Sequence, residues 1–275
     1  MASRDGHAPG MNILLHGHMF KNAGSTLDWS LRQNFGADFL DHRDDEFLRD
    51  NPEGLATLVH EAPNLRAISS HWMPLPLTPD LAAEATLLFL LRHPVDRAHS
   101  VYEFERRQGE AAGPSAAHAG RLDFREFVAW RLGKSRGPVI RNYQTRYLSG
   151  DYFSRDLDSA LGKAMGQLQS SCFGIVEQYD DSMILFEHTL GGSYPELDLA
   201  APPQNVSRPV GETLAQRLLS IRSALGSVYD QLLDENQHDL QLYDWAQAQF
   251  SRRLSQVAGR DSLLAQMQSR KQQLA

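Results

Sequence analysis

Lys21, Ser25 and Thr26, grouped around Gly24 in the stretch ILLHGHMFKNAGSTLDW (residues 13–29), have the types and spacing to hold an anion. The apolar run Ile13-Leu14-Leu15 leads into a polar loop, and an amphipathic segment starts after Asn22-Ala23-Gly24. That order reads as strand, loop and helix N-terminus. Such a junction offers unpaired backbone N–H groups and the positive end of a helix dipole, so it receives phosphate or sulfate. Lys21 adds a mobile point charge, and the two hydroxyls add donors. The spacing is not that of the triphosphate loop G-x-x-x-x-G-K-[ST]. Here the lysine precedes Gly24 by three positions.

A second anion site is expected in LLFLLRHPVDRAHSVYEF (residues 87–104). The continuous apolar run Leu87 to Leu91 reads as a buried parallel strand. In nucleotide hydrolases an acid that holds magnesium commonly closes such a strand. This one closes on Arg92-His93-Pro94, a cation in the acid's place. Pro94 suits the first turn of a helix and Asp96 its positive end. Ser100 follows Arg92 by about two helical turns, so the pair could grip one phosphate.

These two blocks together resemble the PAPS-dependent sulfotransferases, most closely the branch that includes heparan sulfate 2-O-sulfotransferase and its bacterial relatives. NYQTRYLSG (142–150), FGIVEQYDDSMILFEHTLG (173–191), NVSRP (205–209) and ENQHDLQLYDWA (235–246) are similar to later segments of that family and stand in the same order. The resemblance spans roughly residues 11–250. It implies an α/β, P-loop-like three-layer fold, with a central parallel sheet flanked by helices and a helical C-terminal region. It implies that Lys21, Asn22, Ala23, Gly24, Ser25, Thr26 and Leu27 cradle the 5′-phosphosulfate of PAPS, and that Arg92 and Ser100 bind its 3′-phosphate. Asn205 and Arg208 would lie near the nucleotide. His71, in ISSHWMP, would be the general base, although Ser70 stands where the family often has glycine. His18, Trp72, Arg141 and Arg146 are the residues expected near the acceptor. No metal is needed on this reading.

The chemistry suits these residue types. Sulfuryl transfer resembles phosphoryl transfer, with nucleophile and leaving group in line, so positioning and electrostatics dominate. Lys21 would stabilise charge on the leaving PAP, and a histidine near neutral pH would take the acceptor's proton. His18, Glu103 and Glu177 are rival bases, and Glu103 and Glu177 read equally well as salt-bridge partners. Arg141 and Arg146 could face an anionic acceptor or simply pair with the acidic surface.

The elements that must position these groups follow from local pattern. Strands are expected at 12–16, 66–70, 86–92 and 172–176, and helices at about 24–35, 53–62, 123–133, 154–170 and 180–191. From Gly211 onward the periodicity is helical. Asp41 to Asp50 is expected to be a surface loop and residues 109–120, GEAAGPSAAHAG, a mobile one. Trp72 to Pro76 reads as an irregular apolar segment able to line a pocket. Residues 1–10 read as a loose tail, 11–250 as one domain and 251–275 as a helical extension that could serve self-association.

The bulk properties set limits. The chain has 275 residues and 41% apolar composition, enough for one full α/β domain. It has no apolar run of about eighteen residues, and MASRDGHAPG has no signal-type apolar core. One cysteine, Cys172, allows no internal disulfide. A cytoplasmic enzyme without stable membrane insertion is therefore expected. The net charge of −7 gives no support for nucleic-acid binding and favours a small molecule, a lipid-linked sugar or a weakly charged glycan over a long polyanion. Two other readings carry distinct consequences. An ATP-dependent P-loop kinase would need magnesium and a carboxylate near Lys21, and a non-catalytic nucleotide-binding module would bind PAP without turnover.

Overall fold

The structure is a computed structural model that describes residues 12–133, 137–202 and 211–274. Five strands form one parallel sheet: β1 (Ile13–Gly17), β2 (Phe39–His42), β3 (Ala67–Ser70), β4 (Ala85–Leu91) and β5 (Cys172–Ile175), in the order β2-β3-β1-β4-β5. Every pairing is parallel, with Leu15 opposite Ile68 on one side and Leu87 on the other. The sequence explains the burial of these strands. Ile13, Leu14, Leu15, Leu88, Phe89 and Phe173 are fully buried, as strands covered on both faces must be. The intervening helices cover the two faces, giving the P-loop-like three-layer α/β fold that the sequence implied. The chain leaves β1 toward β2, then crosses back over β1 to reach β4. The C-terminal ends of β1 and β4 thus flank a topological switch point, where open parallel sheets form their ligand crevice.

Two expectations are corrected. Residues 41–50 are not a plain surface loop: Phe39–His42 is an edge strand, and helix Asp45–Asp50 follows, capped where the Asp44 side chain accepts from the Phe47 N–H at 2.9 Å. Asp44, Glu46 and Asp50 face solvent, while Phe39 and Leu48 are buried and fix the segment. Residues 114–121 form a helix with Pro114 at its first turn. Ala116 and Ala119, three apart, bury its inner side. Helices at Pro79–Glu84 and Tyr143–Leu148 were also not foreseen.

The C-terminal region is helical: Leu214–Leu225, Val228–Asp234, Gln237–Leu254 and Arg260–Gln273. Residue 250 falls within the third of these, and Leu254, Val257 and Met267 join the sheet's own core. The last helix lies on helix Tyr179–Leu190 through Arg260–Asp181, Arg270–Glu187 and Lys271–Asp180 ion pairs. None of the described helices is long and apolar enough to cross a membrane.

NYQTRYLSG and ENQHDLQLYDWA form a reciprocal clasp. The buried Asp239 carboxylate accepts from the N–H groups of Gln144 (3.1 Å) and Thr145 (2.8 Å), capping helix Tyr143–Leu148. Asn142, in the left-handed region at φ 48°, returns the favour: its Oδ1 accepts from the N–H groups of His238 and Asp239, both at 3.0 Å. Asn236 closes the ring by accepting from the Asn142 N–H and donating to the Ile140 carbonyl. Buried amides left without an acceptor are costly. Asp239→Asn is therefore expected to lower unfolding free energy by about 2–3 kcal/mol, read as a shift of the urea midpoint. An unchanged midpoint would show that water satisfies those amides.

Candidate active site

The loop between β1 and helix Gly24–Phe35 is strained in a specific way. Lys21 (φ 64°) and Ala23 (φ 59°) both lie in the left-handed region without being glycine. Such conformations persist only when their surroundings hold them. Asn22 between them does this. Its buried amide donates to the Leu90 carbonyl and to Gln144 Oε1, both at 2.7 Å. Two guanidiniums take the loop's carbonyls: Arg92 Nη1 donates to the Lys21 oxygen at 3.1 Å and Arg97 Nη1 to the Phe20 oxygen at 3.2 Å. The helix itself starts without a side-chain cap, because its N-cap is Ala23. The amides of Gly24 and Ser25 open that helix and have no intrahelical acceptor. A helix start of this kind can receive an anionic oxygen.

Arg92 stands at the end of β4, beside this loop. Its guanidinium meets Asp96 at 2.7 Å, and Asp96 also accepts from Arg217 Nε at 2.9 Å. Asp96, one of two carboxylates in the cleft lining with Asp180, is thus clamped by two cations. Lys21, Ala23, Gly24, Ser25, Thr26, Arg92, Ser100 and Phe104 all line one cleft of about 430 Å³, with Arg43, Arg217, Lys271, His18 and His71 in its walls. Lys21 Nζ sits 4.5 Å above the centre of the Phe104 ring, a weak cation–π contact. No carboxylate among the described residues pairs with Lys21. Burial, then the neighbouring Arg92 and Arg107, push its ammonium down to about 8.

The histidines form a second group. Asp28 is buried in helix Gly24–Phe35, and His16 Nδ1 and His18 Nδ1 each lie 2.7 Å from one of its oxygens. Arg43 reaches the same carboxylate at 2.8 Å and Asp41 at 2.5 Å. Burial alone would raise Asp28, but the bonds and charges of His16 and His18 overcome it and hold the carboxyl well below the usual range. Burial lowers the His18 and His71 imidazoles. His71 Nδ1 donates to the His18 carbonyl at 2.9 Å, and the two rings stand 4.3 Å apart. The ligating atoms of His16, His18 and Asp28 fall within 4.8 Å of one another. That spacing would also suit a divalent ion, but Asp28 already meets two imidazoles and a guanidinium, and the guanidinium supplies positive charge there.

Other residues expected at the site lie elsewhere. Asn22 and Leu27 are buried, so only their backbones could meet a ligand. Trp72 lines a separate cavity of about 160 Å³ with Arg49, Arg146, Tyr147 and Tyr152. Arg141 and Arg146 share a third, of about 350 Å³. Arg146 donates to the Ser154 carbonyl at 2.6 Å. Glu177 is not a cleft acid. Its oxygens accept from the His93 N–H and the Tyr243 hydroxyl, both at 2.9 Å. Glu103 does not line the cleft either. Asn205 and Arg208 lie outside the described residues. Sequence reasoning missed Asp28, Arg43, Gln144, Arg217 and Lys271. The alternation His16-x-His18 did place two imidazoles on one face of a strand, but nothing in the sequence pointed to Asp28 as their partner.

No family model matches the chain. An uncharacterised protein of Archaeoglobus fulgidus is 29% identical over 242 residues, which cover 84% of this chain and 94% of that protein. The crystal structure of a sulfotransferase from Alicyclobacillus acidocaldarius is similar at 14% identity and a TM-score of 0.40, over 83% of this chain and 95% of that one. A likeness of that degree carries no argument about activity.

A bound anion favours the protonated amine, so Lys21 should take up a proton when one binds above about pH 8. Affinity then falls as pH rises through that value. Sulfate, which does not titrate in this range, should raise the melting temperature more at about pH 7 than at about pH 9.5. In Lys21→Met the two rises should be equal.

Proposed function

We propose that this chain is a PAPS-dependent O-sulfotransferase that moves a sulfuryl group to a hydroxyl of a carbohydrate or small molecule and releases PAP. One observation carries the reading: the uncapped helix start with Lys21, and Arg92 with Ser100, open into the same cleft. A donor with phosphate at both its 5′ and 3′ positions needs two such anion sites, separated by a nucleoside. The sequence resemblance nominates the same residues for the same two roles.

On this reading the Gly24 and Ser25 amides, with Thr26 and Lys21, grip the 5′-phosphosulfate. Arg92 and Ser100 take the 3′-phosphate. The acceptor hydroxyl loses its proton to a cleft imidazole, for which the resemblance nominates His71, and its oxygen forms the new S–O bond. The bond from sulfur to the bridging oxygen breaks, and that electron pair stays on the 5′-phosphate, where Lys21 meets the new charge. A preorganised cation placed there costs little reorganisation during reaction. In the cleft lining Lys21, Arg43, Arg92, Arg217 and Lys271 outnumber the carboxylates of Asp96 and Asp180 although the whole chain is acidic, which fits a donor bearing several negative charges.

An ATP-dependent kinase reading predicts the opposite preference among nucleotides. PAP, in the presence of a metal chelator, is expected to raise the melting temperature well above the rise given by ATP with magnesium. Adenosine 5′-phosphate should give a smaller rise than PAP, and Arg92→Ala should remove that difference. Equal rises with the two adenosine phosphates would end the 3′-phosphate assignment. Lys21→Ala should slow release of PAP from PAPS by about 10²–10³-fold, measured chromatographically.

A further inference from the structure

We infer that His18, held by Asp28, is the base that takes the acceptor's proton, with Asp28 its positioning residue. This rests on the sulfuryl-transfer reading above. The geometry comes from three contacts. An ionised carboxylate only accepts, so the 2.7 Å contact, much shorter than the 3.3 Å approach of Arg43 Nη1 to the same nitrogen, favours the Nδ1–H tautomer of His18 and leaves Nε2 with its lone pair. The His18 ring is pressed against the loop that would hold the sulfuryl group. A Cβ built on Gly24 would meet His18 Nε2 at 2.4 Å and Cδ2 at 2.2 Å. Only glycine at 24 lets the imidazole stand so close to the helix start. His18 also lines the cleft beside Lys21 and His71.

Charge separates the two histidines. A base becomes a cation during the step, and the cation needs an anion. His18 has the Asp28 carboxylate directly behind it. His16 and Arg43 share that carboxylate, but Arg43 also pairs with Asp41, so two carboxylates face its guanidinium. His71 has only a backbone carbonyl on its Nδ1. In the step itself, His18 Nε2 receives the hydroxyl proton, the oxygen bonds sulfur, and the bridging oxygen leaves with its electron pair. The imidazolium then rests on Asp28 until it returns the proton to solvent. Asp28→His18 has the logic of the acid that orients a catalytic imidazole in hydrolases, here reached from a helix that starts at the anion loop.

Water can serve as the acceptor, so no substrate need be known. PAP formation from PAPS is followed in single turnover, PAP affinity by calorimetry, and imidazole tautomers by nitrogen-resolved NMR. His18 is expected as Nδ1–H in the wild type and as a tautomer mixture in Asp28→Asn. His18→Gln should slow PAP formation by about 10²–10⁴-fold and leave PAP affinity unchanged. His71→Gln should slow it far less. His18→Gln turning over at the wild-type rate overturns the assignment, as does an Nε2–H tautomer in the wild type or wild-type turnover no faster than buffer. Should Asp28→Asn fail to fold, His18→Gln and the wild-type tautomer still decide. Failure of the wild type to bind PAP defeats the donor reading itself and takes the assignment with it, whereas PAP binding with unaffected His18→Gln turnover defeats the assignment alone.

Discussion

A single buried amide ties the loop after β1 to the end of β4. Gln144 has no exposed surface, and its side chain meets both loops. Oε1 accepts from Asn22 Nδ2 at 2.7 Å and from the Arg92 N–H at 2.9 Å, while Nε2 donates to the Arg92 carbonyl at 2.8 Å. One side chain therefore fixes the residue between two left-handed positions and the residue at the strand end. Gln144 is itself fixed, because Asp239 caps its own N–H. The path from helix Gln237–Leu254 through Asp239 and Gln144 to Asn22 and Arg92 is a continuous set of hydrogen bonds among buried groups. Such networks rigidify a core, and in this one Asn22 Oδ1 is buried with no hydrogen-bond partner among the described residues. The clasp is the frame that keeps Lys21 and Arg92 at one crevice.

Electrostatics repeats the pattern of confinement. Arg97 is buried beneath the loop, with its guanidinium 4.3 Å from the centre of the Tyr143 ring, and carbonyls of Phe20 and Val139 accept from it. Arg92 is held by Asp96, Arg43 by Asp28 and Asp41, and Lys271 by Asp180. Lys21 has no carboxylate partner among the described residues to offset its burial and the charges of Arg92 and Arg107, which depress its ammonium. Concentrating cations in a partly dry cleft raises the energy of the empty state, so an incoming polyanion relieves repulsion as well as making bonds. The overall acidity of the chain hides this local field entirely.

Much of the frame was legible because burial writes itself into sequence as runs. Ile13 to Leu15 and Leu87 to Leu91 had to be strands covered on both faces. Residues 39–42 escaped because an edge strand needs only a short apolar face, and Asp41 and His42 masked it. The helix at 114–121 escaped because Ala116 and Ala119 become a buried face only when a partner covers them. At the site, Lys21, Ser25, Thr26, Arg92 and Ser100 were readable from local spacing. Asp28 with its histidines, Arg43 and Gln144 were not, because each acts through contacts with residues far along the chain. The clasp shows the same limit from the other side. Segments that looked functional by resemblance, 142–150 and 235–246, supply hydrogen-bonded support rather than cleft walls.

The bare start of helix Gly24–Phe35 has a kinetic consequence. On the proposed reading its amides would grip phosphate oxygens, and those oxygens belong equally to the charged nucleotide and to the spent one. Sulfuryl transfer would leave untouched the handle by which the molecule is held. A cleft built this way would discriminate poorly between fuel and ash, and the spent nucleotide would compete with its own replacement.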